Sequence, residues 1–286
     1  MCDDRGAAVA QRRGGCGERR LANAVSGPAQ QVAGAVRRYD GRVTLITGAA
    51  NGIGKATAAR LAAEGATVIG TDRDEAALAA TAAALSDGGA TVVTHVMDVS
   101  LEADWERVCA AIAQDFGRLD LLVNNAGFSH VAMVTDYAVE DWRALHDTDL
   151  MGIFLGLKHS IPLLRGSDAP AIVNLASTMG LMGFPRIPAY SAAKGGVIAL
   201  SRQVALDYAP EGIRVNAVCP GPTRTERLAG IVESGDVDES LLIGNVPLGR
   251  WAAPSEIASV IAFLGSEDAS YITGAAIPVD GGQTAH

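Results

Sequence analysis

From residue 42 almost to the C-terminus, short apolar β-branched runs alternate with Ala-rich amphipathic segments, and that alternation leaves few architectures open. The runs are Val43–Thr47, Thr67–Thr71, Thr91–Val96, Leu119–Asn124, Ala171–Leu175, Arg214–Val218 and Ala276–Val279. Each is almost continuously hydrophobic. That is the pattern of a strand covered on both faces; a half-solvated strand would alternate apolar with polar. Helical patterns separate most of them, at Ile53–Ala63, Asp74–Leu85, Leu101–Phe116, Val139–Leu164, Tyr190–Tyr208 and Pro254–Leu264. This order predicts a single α/β domain, a doubly wound parallel sheet of about seven strands flanked by helices, with right-handed crossovers.

Two segments fall outside the rhythm. Residues 1–38 hold seven arginines against three acidic residues, a net +4, which leaves −13 of the chain's total of −9 on the remainder. Arg12-Arg13 raises the possibility of a twin-arginine export signal, but Gly14-Gly15-Cys16-Gly17-Glu18 stands where its apolar core should begin. A disordered extension, or a start codon placed too early, is the simpler account, with the folded domain at 39–286. The second segment, Thr223–Pro247, carries three glycines and an acidic stretch at Asp236–Glu239 and reads as a flexible lid.

Composition removes several classes of function. The chain has 286 residues, 49% of them hydrophobic and 19% charged, enough to bury a large core. A net charge of −9 argues against nucleic acid or an anionic membrane as partner, because both need clustered Lys and Arg. No uncharged apolar run approaches the roughly 18–20 residues of a membrane span. The four cysteines (Cys2, Cys16, Cys109, Cys219) are scattered, which fits a reducing cytoplasm and neither a disulfide framework nor a zinc site. The five histidines show no metal-ligand spacing, and no metal is expected.

Thr47-Gly48-Ala49-Ala50-Asn51-Gly52-Ile53-Gly54 follows the first strand and opens the first helix. Gly48 permits the tight turn, Gly52 lets backbone approach a pyrophosphate, and Gly54 allows close helix–strand packing. The helix N-terminus adds N–H donors and a favourable dipole for phosphates. The spacing, Gly-x-x-x-Gly-x-Gly, differs from the common dinucleotide fingerprint. Asp72 strengthens the reading. It closes the second strand about 20 residues on, where a carboxylate accepts both ribose hydroxyls of NAD and repels the 2′-phosphate of NADP. No Lys or Arg within the turn offsets it; Arg73, next door, could lie over the adenine or meet a phosphate.

Tyr190 and Lys194 stand four residues apart at the start of a long Ala-rich helix, neighbours across one turn. A nearby ammonium favours phenolate, so Tyr190 is expected below its usual pKa and suited to moving a proton on or off an alcohol oxygen. Ser177, thirteen residues upstream, lies just past a strand, at the edge where α/β sheets bind ligands, and could hydrogen-bond the same oxygen.

With these residues in view the chain resembles the short-chain dehydrogenase/reductase family from about Arg42 to Gly282. The resemblance rests on Thr47–Gly54, Asp72, Asp98-Val99, Asn124-Asn125-Ala126-Gly127, Ser177, Tyr190–Lys194, Pro220-Gly221 with Thr225, and Asp280-Gly281-Gly282. It implies a Rossmann-like fold and hydride transfer between a nicotinamide and a carbonyl or alcohol carbon. It also implies roles. Tyr190 would be the acid/base, Lys194 would lower its pKa and bind the nicotinamide ribose, and Ser177 would position the substrate oxygen. Asp98, beside Val99, would contact the adenine. Gly48, Asn51, Gly52, Ile53, Gly54, Asp72, Arg73, Asn125, Ala126 and Gly127 complete the expected NAD site, with Pro220, Gly221, Thr223 and Thr225 on the nicotinamide side. A homotetramer, or a dimer, is implied as well.

One position departs from the family. An Asn usually stands seven residues after the Trp of the helix that follows the Asn-Asn-Ala-Gly segment; counting from Trp142 gives Asp149. Asp could preserve the proton relay through its backbone carbonyl, or raise the pKa of Lys194 and weaken its effect on Tyr190. His130 could face the substrate, and Met133, Met179, Met182, Phe184 and Ile187 fall in loops that surround it. Arg186 and Arg227 could recognise an anionic group, with ordinary exposed arginine as the default. The expectation is an NAD-dependent oxidoreductase of a small secondary alcohol or ketone. The alternatives are an NADP-dependent ketone reductase and a non-catalytic dinucleotide-binding scaffold.

Overall fold

The computed structural model describes residues 37–235 and 237–285. The expectation for residues 1–38 therefore lies outside them, except for Arg37 and Arg38. Arg38 is drawn into the fold by a two-pronged pairing with Glu64, at 2.6 and 2.7 Å.

Seven strands form one all-parallel sheet: β1 (Val43–Thr47), β2 (Thr67–Asp72), β3 (Val92–Val96), β4 (Leu121–Asn124), β5 (Ala171–Leu175), β6 (Arg214–Pro220) and β7 (Ala276–Val279). Their order across the sheet is β3-β2-β1-β4-β5-β6-β7. The chain winds outward from β1 to β3, then returns to lay β4 against the other side of β1. The doubly wound expectation is met, and the reversal between β1 and β4 opens a crevice at the carboxyl ends of these strands.

Helices α1 (Gly52–Ala63), α2 (Glu75–Asp87), α3 (Glu102–Phe116), α4 (Val139–His146), α5 (Gly152–Leu164), α6 (Pro188–Tyr208) and α9 (Pro254–Gly265) flank the sheet. Local chemistry sets several ends. Asp74 caps α2 by accepting the Ala77 N–H, and Gly117, left-handed at φ 71°, stops α3. Pro188 and Pro254 stand in the first turns of α6 and α9, where a missing N–H costs nothing. One apolar cluster centres on Trp105, Leu122, Ile153 and Val197, and a second on Ile46, Leu61, Val123, Ile257 and Ile261. Each such fully buried aliphatic side chain contributes roughly 1.5–3 kcal/mol.

Two sequence expectations need correction. Val139–Leu164 is not one uniform α-helix, since a π-helical turn at Asp147–Met151 separates α4 from α5. The extra residue in that turn shifts the face on which following side chains lie. The 223–247 segment is also more structured than its composition suggests. It carries α7 (Glu226–Glu233) and α8 (Glu239–Ile243), capped by Thr225 and Asp238, and buries Leu242 and Val246.

Candidate active site

The crevice at the switch point is a cleft of about 680 Å³. Its first wall is the glycine turn. Gly48 and Gly52 have φ of 67° and 55°, and a side chain on Gly48 would meet Asn125 Nδ2 at 2.8 Å. Gly54 lies beneath the turn and does not line the cleft: a Cβ there would sit 2.0 Å from the Gly48 carbonyl oxygen. Asn51 precedes α1 without a side-chain cap, so the N–H groups of the first turn face the cleft without that partner.

The turn is stitched to the opposite side of the crevice. Asn125 Nδ2 donates to the Thr47 and Gly48 carbonyls at 2.8 and 3.0 Å. The N–H groups of Asn125 and Ala126 both donate to Thr47 Oγ1, at 2.9 and 3.0 Å. Asp72 stands at the end of β2 and accepts the Ala50 and Asp74 N–H groups, each at 3.1 Å, which holds its carboxylate at the cleft wall. Asp98 and Val99 line the same end. One Asp98 oxygen is occupied by the Ser100 N–H and hydroxyl.

The far end holds the titratable groups. Ser177 follows β5, and its Oγ accepts the Met179 N–H at 3.1 Å. Tyr190 and Lys194 project from α6 on one face, with Nζ 5.5 Å from the centre of the phenol ring, and Tyr190 hydrogen-bonds Ser177. Lys194 is 3% exposed; Nζ donates to the Leu175 carbonyl at 2.9 Å and lies 3.0 Å from Asp149 Oδ2. Asp149 is fully buried in the π-turn, and its other oxygen accepts the Phe128 N–H at 2.8 Å. Gly127 makes room for it, since a Cβ there would stand 2.7 Å from Asp149 Oδ2.

This pairing alters the electrostatics expected of the site. Burial pushes Asp149 up, opposed by Lys194 and the Phe128 N–H. Burial alone would lower Lys194, but Asp149 and Tyr190 together raise it. Tyr190 lies above its usual value, not below it. Burial raises it first and Asp149 adds to that, against the pull of Lys194, Ser177 and Arg227. Tyr190 and Lys194 share one face of α6, as their spacing predicts. The expected drop fails chiefly because burial disfavours the phenolate, with the Asp149 carboxylate adding to it.

Pro220, Gly221, Thr223 and Thr225 close the cleft beside these groups. Thr225 also caps α7, and Thr223 donates to the Gly221 carbonyl at 3.0 Å. Arg73 and Arg227 line the cleft, as do Met179, Phe184 and Ile187. Ser129, Val131, Thr148, Ile231 and Leu242 join the lining without having been singled out from sequence. They are ordinary residues in loops and short helices, and nothing in their spacing marks them. His130 instead packs edge-on against Tyr137 at 5.0 Å, near Asp141. Cys219 and Cys109 are buried free thiols pushed up to about 11 by desolvation. Among the described residues, Glu102, Glu106 and His159 approach one another at the surface, where Glu102 pairs with Lys158. No described helix is long and apolar enough to cross a membrane.

Comparison with known proteins agrees with this architecture. A family model described as enoyl-(acyl carrier protein) reductase matches residues 48–284. Meso-2,3-butanediol dehydrogenase of Serratia marcescens is 41% identical over 248 residues, covering 87% of this chain and 96% of the relative. Cis-4-hydroxycyclohexanecarboxylate dehydrogenase of Sinomonas cyclohexanicum is 42% identical over 245 residues, covering 85% and 97%. The crystal structure of levodione reductase superposes with a TM-score of 0.82 at 37% identity, covering 86% of this chain and 99% of the other. With a parallel sheet of this order, a glycine turn at its switch point and relatives matched along nearly their whole length, the chain belongs to the short-chain dehydrogenase/reductase family.

Proposed function

We propose that the protein is an NAD-dependent dehydrogenase of secondary alcohols, able to reduce the ketone in reverse. The observation that carries this reading is the convergence of Ser177, Tyr190 and Lys194 on one end of a cleft whose other end is built for a dinucleotide. The fit is physical. The uncapped start of α1 offers N–H donors to phosphates, and the glycine turn keeps Cβ atoms out of their way. The Asp72 carboxylate suits two ribose hydroxyls and repels a 2′-phosphate. Relatives named for a butanediol, a hydroxycyclohexanecarboxylate and levodione support alcohol and ketone substrates.

Nicotinamide, when bound, supplies the acceptor for the hydride leaving the alcohol carbon. Ser177 holds the substrate oxygen, and Tyr190 takes its proton through the same hydrogen-bonded pair. Lys194 donates to Leu175 and is ion-paired with Asp149, which leaves N–H capacity for a ribose hydroxyl. Asp149 fixes that ammonium. We extend the reading to a cytoplasmic homotetramer, with exposed Met151 at the end of the π-turn and Phe154 of α5 as candidate contacts.

Fluorescence titration with NADH and NADPH, followed by assay of Tyr190→Phe, tests the proposal. Tighter binding of NADH is expected, with turnover in the variant lower by about 10²–10⁴-fold and NADH affinity retained. Tighter NADPH binding would move the assignment to Arg73 and ketone reduction. Binding of neither would leave the scaffold.

A further inference from the structure

Arg227 sits on the first turn of α7 and reaches across the cleft to its opposite wall. Its Nη1 donates to the Gly127 carbonyl at 3.2 Å, and the guanidinium lies over the Phe128 ring, 5.4 Å from the centroid. Among the described residues most arginines meet a carboxylate, as Arg38 and Arg60 do at Glu64, Arg165 at Glu211 and Arg250 at Glu256. Among the described residues Arg227 has no such ion pair. It is also the cation left over at the reactive end of the cleft, since Lys194 is already paired with Asp149 at 3.0 Å. The other carboxylates lining the cleft, Asp72, Asp74, Asp98 and Glu226, belong with the glycine turn, the adjoining strand ends and the start of α7.

The surroundings of Arg227 specify what it would meet. Phe128, Val131, Met179, Phe184, Ile231 and Leu242 contribute apolar surface to the same cleft. Burial pulls the guanidinium down, Asp149 and Tyr190 pull it up, and Arg73, on the wall expected to meet the cofactor, pulls it down. The guanidinium is exposed to the cleft, beside an apolar wall; it donates to a carbonyl and lies over a ring face, which leaves donors for a planar anion. We infer that Arg227 recognises an anionic group on the substrate, so that the preferred substrates are secondary alcohols or ketones carrying a carboxylate on an apolar frame. This rests on reading the cleft as a dehydrogenase site. The same chemistry would also suit the cofactor's diphosphate, and the experiment separates the two.

Calorimetry on the protein–NADH complex, with cyclohexanecarboxylate and cyclohexanecarboxamide as matched probes, is the test. The carboxylate is expected to bind more tightly, and Arg227→Gln to bring the ratio of the two affinities down by about tenfold or more. Arg227→Lys should keep part of the preference, as a point charge without the planar fork. Equal binding of the two probes by the wild type, no binding of either, or a ratio unmoved by Arg227→Gln overturns the inference. A loss in Arg227→Gln that falls on NADH affinity instead assigns the arginine to the diphosphate, and also overturns it. Its failure is distinguishable from failure of the dehydrogenase reading. A protein that oxidises neutral alcohols without preferring the carboxylate defeats only the first, and one that holds the carboxylate but never turns over defeats only the second.

Discussion

At the scale of single residues, burial raises Tyr190 first, Lys194 pulls it down, and the Asp149 carboxylate, 3.0 Å from Lys194, pushes it up again. Of these, the Asp149 charge can be removed while the side chain's shape is kept. In Asp149→Asn the ascending limb of kcat/KM for alcohol oxidation, which reports loss of the phenol proton, is expected to move to lower pH. The sign follows from Asp149 raising Tyr190: without it, phenolate forms earlier. An unmoved limb in a pH–rate profile would show that the aspartate has no hold on the proton. The position of Asp149 was legible from its distance to Trp142. Its pairing with Lys194 was one of two alternatives the sequence left open; the π-turn at Asp147–Met151 that carries it was not visible, because an amphipathic pattern read at 3.6 residues per turn carries no trace of one inserted residue.

At the scale of elements, the glycines separate into those that geometry requires and those it tolerates. Gly54 is required, because α1 can start where it does only if nothing larger than hydrogen lies 2.0 Å from the Gly48 carbonyl oxygen. Gly54→Ala is expected to abolish NADH binding and to cost more than about 1–3 kcal/mol of stability, the range for an overpacked core. Gly230, within α7, would meet nothing within 4 Å. Gly230→Ala should stabilise that helix by about 0.5–1 kcal/mol, seen as slower amide hydrogen exchange across Glu226–Glu233. Exchange unchanged there, with NADH binding kept in Gly54→Ala, would contradict both assignments. The sequence marked the first glycine because turn and helix start coincide with the end of an apolar strand. The short helices α7 and α8 escaped because eight and five residues are too few for a period to emerge.

For the whole molecule, a cluster of charged groups gathers around Glu64, away from the residues that line the cleft. Glu64, at the C-terminal end of α1, receives the Arg38 fork and the Arg60 side chain while it is 5% exposed. Arg60 also reaches Ser259 on α9, Arg38 reaches Asp268, and the buried Tyr39 hydroxyl donates to the Ala262 carbonyl at 2.6 Å. Glu64 thus ties the entry to β1 to α1, the elements that flank the glycine turn, and through Arg60 to α9, with no hydrogen bond to the turn itself. Burial alone would raise its pKa, but the two guanidiniums outweigh that and hold it below the usual carboxylate value of 4.5. A carboxylate whose folded pKa is depressed contributes stability above its unfolded pKa and loses it as pH falls through the folded value. Glu64→Gln should therefore lower unfolding free energy by roughly 1–3 kcal/mol at pH 7. The gap from wild type should narrow below about pH 4.5. Denaturant melts of both proteins across this pH range, with NADH titration at neutral pH, check the claim. A gap constant with pH would mean that packing, not charge, is what Glu64 contributes. A fall in NADH affinity matching the loss of stability would mean that the Glu64 cluster and the cleft are coupled.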